Sequence, residues 1–228
     1  MPARHDSFYG RRKGKPLRPG QAERLTRLLP VLRIDTAQPP PDPFSALFAV
    51  PVTAIVLEIG FGGGERLAHE AATNPQTGYI GVEVFEAGLA KAAAAIDKSG
   101  LANIRLYDGD AGPLLDWLPA GSIARIDLLY PDPWPKRRHW KRRFVNAANL
   151  KRIARVLEPG GTFRFASDIA AYVDWTLQHV RREPALIWTA ETADDWRRPW
   201  PDWPGTRYET KAIGEGRRPA YLTFRRTG

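Results

Sequence analysis

Apolar residues recur along this chain in short dense runs separated by longer patterned stretches. The runs at 54–59, 79–84, 103–107, 123–130 and 161–166 are rich in Ile, Val, Leu and Phe, and they predict strands. Between them, 65–72, 87–98 and 144–157 carry helical spacing. The second of these is alanine-rich and stops at Ser99-Gly100; the third stops at Glu158-Pro159-Gly160-Gly161. A last run at 220–224 predicts one more strand. Strands alternating with helices predict an α/β fold: a mostly parallel sheet, right-handed crossovers and helices on both faces. Residues 188–203 hold four of the eight tryptophans among prolines and charges, which reads as a loop or insertion.

The first 33 residues are rich in Arg, Lys, Gly and Pro, most densely at Arg11-Arg12-Lys13-Gly14-Lys15. They read either as a solvated, partly disordered tail or as a nucleic-acid contact arm. The stretch Gln38-Pro39-Pro40-Pro41-Asp42-Pro43 excludes helix interior and reads as a stiff linker. The expected organisation is therefore a basic extension and linker over 1–43, then one folded domain over 44–228.

Charge changes the picture. With 34 Lys and Arg against 25 Asp and Glu, the net charge is +9, an excess that suits a polyanionic partner, nucleic acid rather than a membrane surface. The absence of cysteine excludes disulfides, thiolate metal sites and cysteine nucleophiles, and fits a cytoplasmic setting. The N-terminus lacks the apolar core of a signal peptide, and the most apolar stretch, 46–57, is broken by Pro51 and too short to span a bilayer. The four histidines show no metal-ligand spacing, so no metal is expected.

Chemistry enters where the first strand ends. Leu57-Glu58-Ile59-Gly60-Phe61-Gly62-Gly63-Gly64 runs from a buried strand into a glycine loop and then a helix, a geometry that lets a nucleotide-like ligand approach the backbone. Glu83 ends the next strand at a spacing that suits a carboxylate accepting from ribose hydroxyls. Glu58, inside the first strand, favours a ligand with ammonium or sulfonium charge and disfavours a pyrophosphate; its bland alternative is a carboxylate satisfied by loop N–H groups. Asp108 and Asp110 follow the third strand, which places an acidic group where an adenine amino group could be read; the alternative is a turn and a helix N-cap, and Asp110 before Ala111 fits a cap.

The fourth strand runs into Pro131-Asp132-Pro133-Trp134-Pro135, a rigid loop at the ligand edge of the sheet. The bland reading is a proline-rich turn with Trp134 as a core plug. Lys136-Arg137-Arg138-His139-Trp140-Lys141-Arg142-Arg143 follows; beside a rigid carboxylate loop, this cationic run reads as phosphate-binding rather than as a solvated face.

Five segments in this order carry a resemblance: Leu57-Glu58-Ile59-Gly60-Phe61-Gly62, Gly81-Val82-Glu83-Val84, Tyr130-Pro131-Asp132-Pro133-Trp134-Pro135-Lys136, Ala166-Ser167-Asp168 and Thr206-Arg207-Tyr208-Glu209. From about residue 54 to 225 the chain resembles the bacterial tRNA (guanine-N7)-methyltransferases, which modify guanosine 46 in the variable loop of tRNA. The resemblance implies a Rossmann-like class I methyltransferase fold with seven strands, S-adenosyl-L-methionine as cofactor and tRNA as partner. It assigns the cofactor to Glu58, Glu83, Asp110 and Asp132, beside the loop glycines Gly60 and Gly62. It assigns the substrate to Lys136, Asp168, Thr206, Arg207, Tyr208 and Glu209, and a catalytic role to Asp132. Tyr130 replaces the family's usual Phe, and Arg207-Tyr208 replaces its common Lys-Phe. Guanine N7 carries a lone pair and no proton, so Asp132 is expected to orient the base rather than deprotonate it. Rival readings are a methyltransferase acting on an exocyclic amine, which the Pro-Asp-Pro-Trp loop faintly suggests, a nicotinamide dehydrogenase, and a non-enzymatic RNA-binding module.

Overall fold

The computed structural model describes Arg12, residues 14–201 and residues 203–228. Seven strands, β1 (Ala54–Ile59), β2 (Thr77–Val82), β3 (Ile104–Tyr107), β4 (Ile123–Leu129), β5 (Leu157–Ser167), β6 (Leu186–Trp188) and β7 (Ala220–Arg226), form one sheet in the order β3-β2-β1-β4-β5-β7-β6. Pairings from β3 through β5 are parallel, and β7 runs antiparallel to both β5 and β6. Strand order reverses between β1 and β4, which opens a crevice at their carboxyl ends.

Eight α-helices accompany the sheet among the described residues: α1 (Pro19–Leu32), α2 (Glu65–Thr73), α3 (Glu86–Ser99), α4 (Ala111–Trp117), α5 (Ala147–Val156), α6 (Ala170–Val180), α7 (Asp194–Arg197) and α8 (Arg207–Gly214). Ile55, Leu57 and Ile59 of β1 join Ile126 and Leu128 of β4 in a core against α4, α5 and α6. The opposite face buries Val56, Tyr79 and Leu106 under α1, α2 and α3. Being covered on both faces is why β1 is buried almost along its whole length.

The expected strands all form, and the differences at their ends have local causes. β2 stops at Val82, one residue before Glu83, so that carboxylate belongs to the loop. Helix α5 starts at Ala147 rather than 144 because Asn146 caps it, accepting from Asn149 N–H at 3.0 Å. It stops at Val156 and runs straight into β5; Glu158-Pro159-Gly160-Gly161 lies within the strand, where the register is irregular between the pairs Ile123–Leu157 and Arg125–Thr162. The tryptophan-rich stretch supplies the end of β6 and all of α7: Trp188 closes the strand and Trp196 sits in the helix, while Trp200, beyond both, is buried against Tyr221.

The tail reading is corrected from residue 19 onward. Helix α1 buries Leu25 and Leu32 against the α3 side of the sheet. Ile34 N–H donates to the Leu106 carbonyl at 2.8 Å, Arg27 pairs with Asp97 at 3.0 Å and Arg33 with Asp108 at 2.9 Å. The proline-rich segment is tied down as well, since Trp117 Nε1 donates to the Gln38 carbonyl at 2.6 Å. Residues 1–11 and Lys13, and with them part of the densest basic run, lie outside the described residues. Among the described residues no helix is long and apolar enough to cross a membrane, and no group of three or more His, Cys, Asp and Glu side chains is placed to hold a metal ion.

Candidate active site

The glycine loop is built by necessity. Gly60, Gly62 and Gly64 have φ of 76°, 62° and 75°, a region L side chains rarely adopt. Helix α3 presses on the loop so closely that a Cβ on Gly88 would lie 2.2 Å from the Gly62 carbonyl oxygen. Nothing stands within 4 Å of a Cβ built on Gly60, so that side of the loop is open. Glu83 fixes the loop from across the crevice: Oε2 accepts from Gly62 N–H at 2.8 Å, and Oε1 accepts from Val84 and Phe85 N–H at 2.8 and 2.9 Å. A carboxylate has about four acceptor sites, so capacity for a ribose hydroxyl remains.

Asp110 is the N-cap that its sequence context allowed, accepting from Gly112 N–H at 3.0 Å at the start of α4. It follows β3, two strands from β1. Glu58 does not take its bland form. It is not satisfied by loop N–H groups; its Oε2 is buried without a hydrogen-bond partner, and Arg66 Nη1 stands 3.6 Å away. Burial, opposed by Arg66 and reinforced by Asp127 and Glu70, lifts its pKa from 4.5 to about 7. A buried carboxylate oxygen without a hydrogen-bond partner at the head of a glycine loop, with free space at Gly60, fits the cationic end of S-adenosylmethionine.

The loop after β4 is held in an unusual backbone. Tyr130 and Trp134 have φ of 50° and 44°, which for bulky side chains costs roughly 1–2 kcal/mol each. Between them Asp132 is exposed. The strain is maintained by Arg143, which is 1% exposed. Its Nε donates to the Pro133 carbonyl at 2.9 Å and its Nη1 to the Ala171 carbonyl at 3.1 Å, while the guanidinium lies over Trp140, Tyr172 and Trp175 at 4.6, 4.8 and 5.1 Å. The reading of 136–143 as a uniform phosphate-binding run is thus corrected at its end: Arg143 is an internal brace. Trp140 is also spoken for, packed on Trp175 at 5.5 Å. Lys136, Arg137 and Arg138 are exposed.

The late motif divides by role. Thr206 and Glu209 form a capping box: Thr206 Oγ1 accepts from Glu209 N–H and the Glu209 carboxylate from Thr206 N–H, both at 3.1 Å. Glu209 also accepts from Trp203 Nε1 at 2.7 Å and from the Tyr221 hydroxyl, and is buried. Arg207 and Tyr208 are exposed and reach the glycine loop; a Cβ on Gly62 would lie 3.7 Å from Arg207 Nη2 and 3.8 Å from Tyr208 Cε2. Asp168, after β5, is ion-paired with Arg217, which also holds Glu215. The fold therefore brings Gly62, Glu83, Arg207 and Tyr208 together and sets Asp132 beside them on the neighbouring strand end.

Sequence reasoning missed Arg66, Asp127, Arg143 and Arg217. Asp127 left a readable signal: a charge inside the apolar run Ile126-Asp127-Leu128 demands a buried cation. Arg143 left none, because nothing local separates it from the exposed cations before it.

The family model described as "Putative methyltransferase" matches residues 52–221. The chain is 61% identical over 219 residues to the tRNA (guanine-N(7)-)-methyltransferase of Agrobacterium fabrum, covering 96% of this chain and 94% of that one. It is 59% identical over 221 residues to the enzyme of that name from Rhizobium meliloti, covering 97% and 95%. Among solved structures, the 16S rRNA methyltransferase KamB superposes with a TM-score of 0.61 at 18% identity, over 84% of this chain and 96% of that one. TrmN from Thermus thermophilus superposes with a TM-score of 0.53 at 20% identity, over 90% of this chain and 48% of that one. The two structural matches carry the fold, a class I methyltransferase sheet. With the near-full-length identity to the curated relatives and the family's motifs in place along the crevice, the chain belongs to the bacterial tRNA (guanine-N(7)-)-methyltransferase family.

Proposed function

We propose that this chain transfers a methyl group from S-adenosyl-L-methionine to N7 of guanosine 46 in the variable loop of tRNA, in the cytoplasm. The donor supplies an electrophilic methyl on a sulfonium centre. Glu58 receives its cationic end, Gly60 and Gly62 let it approach the backbone, Glu83 accepts from its ribose and Asp110 faces its adenine. N7 has no proton to lose, so no general base is required. Positive charge develops on the purine as the methyl arrives. Asp132, held in a braced loop beside the glycine loop, orients the base and favours that charge. Arg207 and Tyr208 close over Gly62 from the substrate side, while Thr206 and Glu209 fix the helix that carries them. Asp168 stands by with Arg217, and Lys136 with its exposed neighbours grips phosphate.

The observation that carries this reading is the approach of Arg207 and Tyr208 to Gly62, with a cation and an aromatic ring against the glycine loop beside the open space at Gly60. The test is radiolabel transfer to tRNA transcripts with guanosine or adenosine at position 46, followed by mapping of the product. Label is expected only with guanosine, as 7-methylguanosine, and Asp132→Asn should lower the rate about a hundredfold or more. Label on the adenosine transcript, N6-methyladenosine as product, or full activity of Asp132→Asn would overturn the proposal.

A further inference from the structure

Behind the glycine loop the register of the sheet builds a row of charge. Glu58 of β1 pairs with Asp127 of β4, Asp127 with Arg164 of β5, and Arg164 with Thr223 of β7, so all four side chains project from one face. Arg125 stands two residues before Asp127 on that face. Helix α2 lays Arg66 and Glu70 over the row. Three carboxylates (Glu58, Glu70, Asp127) thus meet three guanidiniums (Arg66, Arg125, Arg164), and the guanidinium of Arg66 is roofed by the Trp203 ring at 5.2 Å.

The hydrogen bonds are not shared evenly. Asp127, fully buried, accepts from Arg66 Nη2 and from Arg125 Nε, the latter at 3.1 Å. Arg125 Nη2 donates to Glu70 at 2.7 Å. Arg66 Nη1 stops 3.6 Å from both Glu58 Oε2 and Glu70 Oε1, beyond a hydrogen bond. Glu58 Oε2 is left buried, near a cation, and unbonded.

A buried ion cluster stabilises a fold poorly, and an unbonded carboxylate oxygen within one is costly. What this arrangement does secure is a charged acceptor that stays vacant. A guanidinium bonded directly to Glu58 would quench it. With no guanidinium nearby, burial would leave the carboxyl protonated. We propose that Arg66, held off by Asp127, is a positioning residue of the donor site: it favours the charged form of Glu58 while leaving the buried Oε2 without a hydrogen bond of its own, as an acceptor for the ammonium end of the donor. This rests on the reading of Glu58 as a donor contact. The charged groups facing Glu58 are Arg66 and Glu70 from α2 and Asp127 and Arg125 from β4, with Arg164 of β5 behind them; β2 presents uncharged Gly81.

The experiment is calorimetric titration of the full chain with S-adenosylhomocysteine from about pH 6 to about pH 8.5. Wild-type affinity is expected to climb as pH rises to a midpoint near 7 and then level off, following Glu58. Arg66→Met removes the cation, so the midpoint should move up by about one pH unit or more. Asp127→Asn removes a neighbouring negative charge and releases Arg66 towards Glu58. Its midpoint should move down, and its plateau affinity should fall several-fold. Arg66→Lys should return the midpoint close to wild type. A purely structural role would weaken binding by the same factor at every pH, and that result for Arg66→Met overturns the proposal. Should Arg66→Met not fold, an unmoved midpoint in Asp127→Asn overturns it equally. Glu58→Gln separates the two readings: it should bind weakly with a flat profile, and unchanged binding there would sink the donor contact itself.

Discussion

The most exposed consequence of this site is that Glu58 costs stability. Its pKa of about 7 in the fold, against 4.5 for an ordinary glutamate, means that between those values the folded chain binds a proton that the unfolded chain does not. Stability must therefore be greatest below about pH 4.5 as far as this group is concerned, fall as pH rises to about 7, and stay level above. Each pH unit of that interval is worth about 1.4 kcal/mol, so the full cost is about 3 kcal/mol at pH 8. Glu58→Gln keeps the shape and removes the charge. It should be more stable than wild type by about that amount near pH 8 and nearly equal to it near pH 4.5. The assay is urea unfolding followed by circular dichroism, without donor, across that range. Comparing the two proteins at each pH cancels the titrating groups remote from residue 58. A difference independent of pH, or a variant less stable near pH 8, would refute the electrostatic reasoning. The same substitution should weaken S-adenosylhomocysteine, so the residue trades stability for ligand affinity.

Further outcomes follow from single contacts. Gly88→Ala drives a methyl into the Gly62 carbonyl, a backbone atom that cannot swing away, and should weaken S-adenosylhomocysteine about tenfold by calorimetry; unaltered affinity would show that the loop yields freely. Arg143→Met removes two charge-assisted hydrogen bonds and should lower the urea-unfolding free energy by about 3 kcal/mol or more, with transfer lost even where the variant is folded; a silent substitution would deny the brace. Lys136→Ala should flatten the log–log salt dependence of tRNA binding by about 0.7–0.9, measured by fluorescence anisotropy, if it neutralises one phosphate; an unaltered slope would take it out of the interface.

Local signals in the chain reached a long way. Short apolar runs marked six strands, including every strand of the parallel core, because a strand covered on both faces is mostly apolar. The left-handed glycines, the Glu83 spacing and the proline-bound Asp132 were legible because turns and strand ends are specified within a few residues. Helix α1 was obscured: its apolar stripe of Leu25, Leu28, Leu29 and Leu32 sits in arginine- and proline-rich sequence, and only docking on α3 makes it fold. Strand β6, three residues long, has no periodicity to read and exists because β7 offers it an edge. The roles of the site residues diverged for the same reason. Thr206 and Glu209 bear a capping-box spacing visible in the chain, but that Glu209 is buried beneath Trp203 and Tyr221 is a tertiary fact. Composition counted Arg66, Arg143 and Lys136 as equal parts of a basic surplus. Which cation faces solvent, which braces a loop and which holds a carboxylate open depends on groups brought together across the sheet, and burial, unlike turn chemistry, is not a property of neighbours in sequence.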